Sequence, residues 1–384
     1  MIRFGIILLS LMAAIASFAQ EANKGKRARD YGVEIGVMPT GRWNAITDVQ
    51  GVKVGHTTII RGDTVHTGVT AVLPHGENIF QHKVPAGVLI GNGFGKLTGS
   101  SQIEELGNIE TPIILTNTLS VGPAVEAVVR YTLLQEGNEK IQSVNAVVGE
   151  TNDGTLNDIR GMHVSAGDII SAISAAESGE VAEGNVGAGA GTVCFGFKGG
   201  IGTSSRKLPS SLGGYTVGVL VQSNYGGILQ INGAPVGAEL QQYSFRDKLL
   251  NNVDGSCMVI VATDAPLDAR NLKRLAHRAF LGLGKTGGIA SNGSGEYFIA
   301  FSTNEQSRIP HQTEDAVLTL PTLQNDFMSP LFMAVIEATE EAVINSLFAA
   351  ETVKGHHDTI QALPKEKVLP ILEKYNAIKT NVKP

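Results

Sequence analysis

Short apolar stretches recur along this chain between glycine-rich turns, and that rhythm most constrains the fold. Residues 67–73, 86–90, 112–115, 146–148, 192–197, 216–222, 258–262 and 297–301 each hold only enough apolar residues for a strand. Between and after them, 122–134, 166–178, 266–283 and 330–350 read as helices, and 367–375 as a short amphipathic one. The third opens on an Asp264/Pro266 start signal. The fourth sets an Ala/Ile/Val face against Glu337, Glu340 and Glu341 on its other side. The 46 glycines and 5% aromatic content imply many tight turns and closely approaching backbones. Strands and helices mix without strict βαβ alternation, which favours layered sheets with helices outside over a doubly wound parallel sheet. The polar stretch 308–326, with Pro310 and Pro321, reads as a surface loop.

The first nineteen residues stand apart from this pattern. Arg3 precedes an apolar run over 4–15, and Ser17-Phe18-Ala19 sets small residues where a signal peptidase cuts. The expectation is a signal peptide over 1–19, no lipid anchor, and an exported, soluble protein in the periplasm or outside the cell. No other stretch approaches the roughly 18 apolar residues of a membrane span. The net charge is −6, and losing Arg3 with the signal makes the mature chain one unit more acidic. No basic run offsets this, so nucleic acid is not an expected partner. The two cysteines, Cys194 and Cys257, both fall in strand-like stretches, where a disulfide and two buried thiols are equally compatible with the pattern.

The chemistry centres on Asp254-Gly255-Ser256-Cys257-Met258, where a loop ends in Gly-Ser and an apolar strand begins at once. Glycine reaches backbone conformations closed to other residues and leaves its carbonyl open to attack. If the Ser256 hydroxyl attacks the Gly255 carbonyl, the peptide becomes an ester, water cleaves it, and Ser256 becomes a new N-terminus. It then carries a nucleophilic hydroxyl beside an α-amine of pKa about 8, suited to act as general base. The ordinary alternative is a loop that enters a strand through Gly-Ser.

Other segments carry weaker signals. Ser294 and Glu296 lie two apart before a strand; if the strand reaches back through them they share a face and can orient a nucleophile or relay its proton. A solvated hairpin turn is the alternative. Asn224 ends another strand, where its amide can donate to an oxyanion or cap a turn. The acidic stretch 149–158 approaches a calcium loop but, counted from Glu150 as its first ligand, lacks glycine at the sixth and glutamate at the twelfth position; a carboxylate there can instead hold a substrate ammonium. Ser204-Ser205-Arg206-Lys207 and Lys285-Thr286-Gly287 mimic penicillin-recognising S-x-x-K and K-T-G motifs, yet the first is flanked by glycine and proline and the second trails a helix. Nine histidines are scattered without metal-ligand spacing, so neither a metal nor a cofactor is expected.

Taken together, RARDYGVEIGVMPTGRWNAITDVQGVKVGHTT, GNGFGKLTG, TNTLSVG, LNDIRGMHV, GNVGAGAGTVCFGFKGGIGTSSR, GVLVQSNYG, DGSCMVIVATDAPL and EATEEAVINSL resemble the L-aminopeptidase/D-esterases and β-peptidyl aminopeptidases across nearly the whole mature chain. The resemblance implies a four-layer αββα sandwich, similar to the N-terminal-nucleophile hydrolases but differently connected. It implies one self-processing domain over 20–384, cut into 20–255 and 256–384, and a tetramer of cleaved pairs. It makes Ser256 the nucleophile released at Gly255–Ser256, Ser294 and Glu296 its supports, Asn224 the oxyanion donor and Glu150 the holder of the substrate amine. Substrates would be small peptides or aminoacyl amides and esters.

Two departures bear on specificity. Residues 146–165 contain no Phe, Tyr or Trp, although an aromatic is expected near Glu150, and Thr155 or Met162 would shape that wall instead. Cys257 follows the nucleophile, and strand alternation turns its thiol to the other face. The rival readings are a self-cleaving acyltransferase like the ornithine acetyltransferases and a catalytically silent binding protein of this fold. The former use threonine and are cytoplasmic, whereas this chain offers serine and an export signal.

Overall fold

The structure is a computed structural model that describes residues 27–246 and 255–379. The expected signal, 1–19, and the loop 251–254 lie outside the described residues. One sheet contains β1 (Lys53–Arg61), β2 (Val65–Leu73), β4 (Leu97–Thr98), β6 (Ile113–Asn117) and β7 (Val147–Thr151), in the order β1-β2-β6-β7-β4. The other contains β3 (His82–Gly93), β10 (Gly200–Lys207), β11 (Thr216–Asn224), β12 (Gly255–Thr263), β13 (Ser294–Ser302) and β14 (Ile309–Pro310), in the order β10-β11-β12-β13-β3-β14, with β5 (Asn108–Ile109) also on β3. A separate hairpin pairs β8 (Val193–Cys194) with β9 (Phe197–Lys198).

Three apolar layers hold these sheets as the expected αββα sandwich. Val54, Val72, Ile113 and Val147 of the first sheet meet Leu220, Met258, Ile260 and Ile299 of the second. Helices α1 (Val121–Leu133) and α2 (Ala166–Ser174) pack outside the first sheet through Ala124, Val128, Ile169 and Ile173. Helices α3 (Ala269–Lys285) and α4 (Ser329–Ala349) cover the second through Leu272, Leu275, Val343 and Leu347. β12 illustrates how sequence sets the layers. Met258, Ile260 and Ala262 enter the inter-sheet core, while Cys257, Val259 and Val261 face the helices, following the two-residue period of a strand. Each such valine or isoleucine, fully buried, contributes about 1.5–3 kcal/mol.

Several expectations need correction. The 192–197 run is not one strand, because Phe195 (φ 54°) and Gly196 (φ 76°) turn left-handed between β8 and β9. Strands β1 and β10 were not legible as apolar runs. Helix α3 starts at Ala269, where the Asp268 carboxylate accepts from the Asn271 N–H at 2.7 Å, later than the Asp264/Pro266 signal. Glu337, Glu340 and Glu341 are buried, not solvated. Arg206, fully buried on β10, binds Glu337 at 3.0 Å and Glu341 at 2.7 Å; Arg29 adds a second contact to Glu341, and Lys285 holds Glu340. Ser204 to Lys207 thus lie on a strand, and Lys285 ends a helix, so neither decoy has its required setting. Both cysteines are free and buried.

Candidate active site

Strand register gathers the predicted residues at one end of the second sheet. β11 and β12 run antiparallel with Asn224 opposite Ser256. β12 and β13 run parallel, setting Gly255 beside Ser294, Ser256 beside Gly295 and Cys257 beside Glu296. Ser256 shares the parity of Met258, so its side chain belongs to the inter-sheet side, where Glu150 is the penultimate residue of β7 in the facing sheet. Ser256, Asn224 and Glu150 line one cavity of about 1090 Å³, with Phe94, Lys96 and Tyr225 among its other walls.

Gly255 is needed for space, not for an unusual dihedral. It lies in extended strand and is absent from the positive-φ glycines, but a Cβ there would come within 2.8 Å of Tyr225 Cα and 3.0 Å of the Asn224 carbonyl. Tyr225 is itself fixed. Its hydroxyl meets Thr286 Oγ1 at 2.9 Å and its ring packs edge-on against Phe195 at 5.0 Å.

Asn224 is oriented by both ends of its amide. Oδ1 accepts from the Val193 N–H at 2.8 Å, and Nδ2 donates to the Asn152 carbonyl at 3.1 Å. The NH2 group has a second hydrogen with no acceptor among the described residues, and Asn224 lines the same cavity as Ser256.

β13 does extend back through Ser294, so Ser294 and Glu296 share a face, and the Ser294 hydroxyl donates to Glu296 Oε1. Their parity is that of Phe298 and Ala300, toward the helices, so they flank the main chain of Ser256 rather than line the cavity with its hydroxyl. Glu296 Oε2 is buried and has no hydrogen-bond partner among the described residues. Burial pushes the Glu296 carboxyl up to about 7, against the opposing pull of the Ser294 hydroxyl.

Glu150 is a strand residue, not part of a loop. Burial raises its pKa, opposed by the Thr118 hydroxyl and by Lys96. The Lys96 N–H donates to Oε1 at 3.0 Å, the Thr118 hydroxyl donates to Oε2, and Lys96 Nζ stands 3.9 Å from Oε1. Gly95 lets that turn close in, since a Cβ there would lie 3.1 Å from Oε1 and 3.0 Å from the Tyr297 ring. The aromatic wall missing from 146–165 comes from Phe94, in the turn after β3. Phe94, Lys96, Thr118 and Tyr225 are the site residues that motif reading passed over, although they sit inside the GNGFGKLTG, TNTLSVG and GVLVQSNYG stretches. Among the described residues no three His, Cys, Asp or Glu side chains are grouped to hold a metal ion.

This arrangement can support nucleophilic acyl transfer: a hydroxyl on a cavity wall, an amide donor across from it and an anion to receive a cationic substrate group. The model of peptidase family S58 matches residues 44–361. A β-peptidyl aminopeptidase of Sphingosinicella microcystinivorans is 43% identical over 402 residues, covering 98% of both chains. A solved Burkholderia sp. β-aminopeptidase superposes with a TM-score of 0.83 at 40% identity, over 94% of this chain and 100% of that one. The L-aminopeptidase D-Ala-esterase/amidase of Ochrobactrum anthropi, described as a prototype of the serine aminopeptidases and a variant of the N-terminal-nucleophile hydrolase fold, gives a TM-score of 0.85 at 38% identity, over 92% of this chain and 99% of that one.

Proposed function

The chain belongs to peptidase family S58, whose members are serine aminopeptidases, and from that membership we propose that it cuts itself between Gly255 and Ser256 and then releases N-terminal residues from small peptides, amino-acid amides or esters. Ser256 Oγ attacks the Gly255 carbonyl, the acyl group passes from nitrogen to oxygen, and water hydrolyses the ester. The freed α-amine then takes the hydroxyl proton as Ser256 attacks the substrate carbonyl. Asn224 donates its second amide hydrogen to the oxyanion, and Glu150 holds the substrate ammonium. Water finally resolves the acyl-enzyme.

The observation that carries this reading is the partnerless Glu296 oxygen, buried in the strand beside Ser256. A buried carboxylate is costly without a counter-charge. Cleavage frees an amine at Ser256, the neighbouring main-chain position, and when it takes the hydroxyl proton Ser294 and Glu296 would hold the resulting ammonium. The apolar run 4–15 and the small residues before position 20 support export to the periplasm or beyond, leaving one domain over 20–384. Assembly as a tetramer of cleaved pairs follows from the same family reading.

Intact mass of purified wild type and Ser256→Ala tests the mechanism. The wild type is expected as two pieces, one ending at Gly255 and one beginning at Ser256, and the variant as one chain. A folded, uncleaved wild type would refute self-processing and favour a silent binding protein.

A further inference from the structure

We propose that the cavity also takes β-aspartyl peptides, in which the first residue is joined through its side-chain carboxyl, with Glu150 binding its free amine and Lys96 its free α-carboxylate. This rests on the reading of Glu150 as the ammonium site and adds a second recognition group to it.

Lys96 is held in two different ways along its length. Its backbone is pinned, donating to Glu150 at 3.0 Å across the close approach that Gly95 permits. Its ammonium, 3.9 Å from Glu150, is at the long limit of an ion pair, and the side chain is 56% exposed against 3% for Glu150. The anion is therefore fixed and the cation free to turn. A substrate that brings only an ammonium competes with Lys96 for Glu150 and brings no new partner for that cation. A substrate with an ammonium and a carboxylate on one carbon exchanges partners instead: Glu150 takes the amine, Lys96 takes the carboxylate, and the net charge of the site is unchanged.

The β-aspartyl group has this chemistry. Its amine sits on the carbon β to the scissile carbonyl, as in a β-amino acyl group, and its carboxylate replaces the side chain. Ser256 Oγ attacks the side-chain carbonyl, the C–N bond breaks, and the leaving amine takes the proton. Water then hydrolyses the ester, so one peptide and one water give aspartate and the shortened amine.

The test compares β-aspartyl p-nitroanilide with β-aminobutyryl p-nitroanilide, which carries a methyl in place of the carboxylate, on wild type, Lys96→Met, Lys96→Arg and Glu150→Gln. Wild type is expected to cleave both. In Lys96→Met the ratio of kcat/KM, β-aspartyl over β-aminobutyryl, should fall by at least about tenfold, and Lys96→Arg should restore much of it. An unchanged ratio in Lys96→Met, or a wild type that cleaves only the methyl substrate, overturns the assignment of Lys96. Unaltered rates for both substrates in Glu150→Gln overturn the ammonium site beneath it.

Discussion

Asn224 serves two roles that one substitution can separate. Its Oδ1 holds the Val193 N–H, its Nδ2 donates to the Asn152 carbonyl, and the residue lines the cavity. Asn224→Asp keeps the first contact and loses the donors, so kcat on an aminoacyl p-nitroanilide should fall by about 10²–10³-fold, with a much smaller effect on KM. Glu296 makes a pH prediction in the uncleaved Ser256→Ala chain. Its carboxyl goes from 4.5 to about 7 through burial, so folding favours the protonated form. That contribution is full below about 4.5 and is lost as pH rises through 7. The melting temperature should decline across this window, and Glu296→Gln in the same background should reduce the slope. At this scale the sequence was legible wherever chemistry was local: Gly-Ser at a strand start and Ser-x-Glu before another. It was silent on Lys96 and Thr118, which approach Glu150 of β7, and on Phe94, which is held against Ser294 of β13, because no spacing encodes such approaches.

Strand β10, missed in the sequence, and helix α4, found there but with its glutamates assigned to solvent, show where the periodic signal fails. Both carry polar residues, yet Thr203 to Arg206 and Glu337 to Glu341 are buried against each other. Hydrophobic patterning assigns polar residues to solvent, and an internal ion-pair cluster reverses that assignment. Burial would raise Glu341, but Arg29 and Arg206 hold it below the usual carboxylate range. Its contribution to stability is present above the unfolded value of 4.5 and is lost as pH falls through the lowered one. Arg206→Met leaves two buried carboxylates short of a partner and should cost about 3–5 kcal/mol in urea unfolding at neutral pH. Adding Glu337→Gln and Glu341→Gln should recover part of that loss.

For the whole molecule, layering was readable from glycine-rich turns and mixed elements, whereas strand order was not, since pairing depends on contacts far apart in sequence. That order governs what cleavage would do. In the second sheet β10 and β11 precede the proposed cut, β12 and β13 follow it, and β3 precedes it again. Core contacts also cross between the two parts, with Val219 and Val221 packing alongside Val259 and Val261. The pieces should therefore co-elute on native size exclusion and separate only in denaturant.

The same interleaving bears on how such a protein can be inherited. The segment before the cut owns the whole first sheet, but neither owns the second, so the boundary at Gly255–Ser256 is not a domain boundary that recombination can exploit. A gene divided there would ask two half-sheets to find each other with their central strands unpaired, exposed to mispairing. Separate co-expression of the two segments should give mainly insoluble material and little activity beside the continuous gene. One reading frame is the template on which both segments are built.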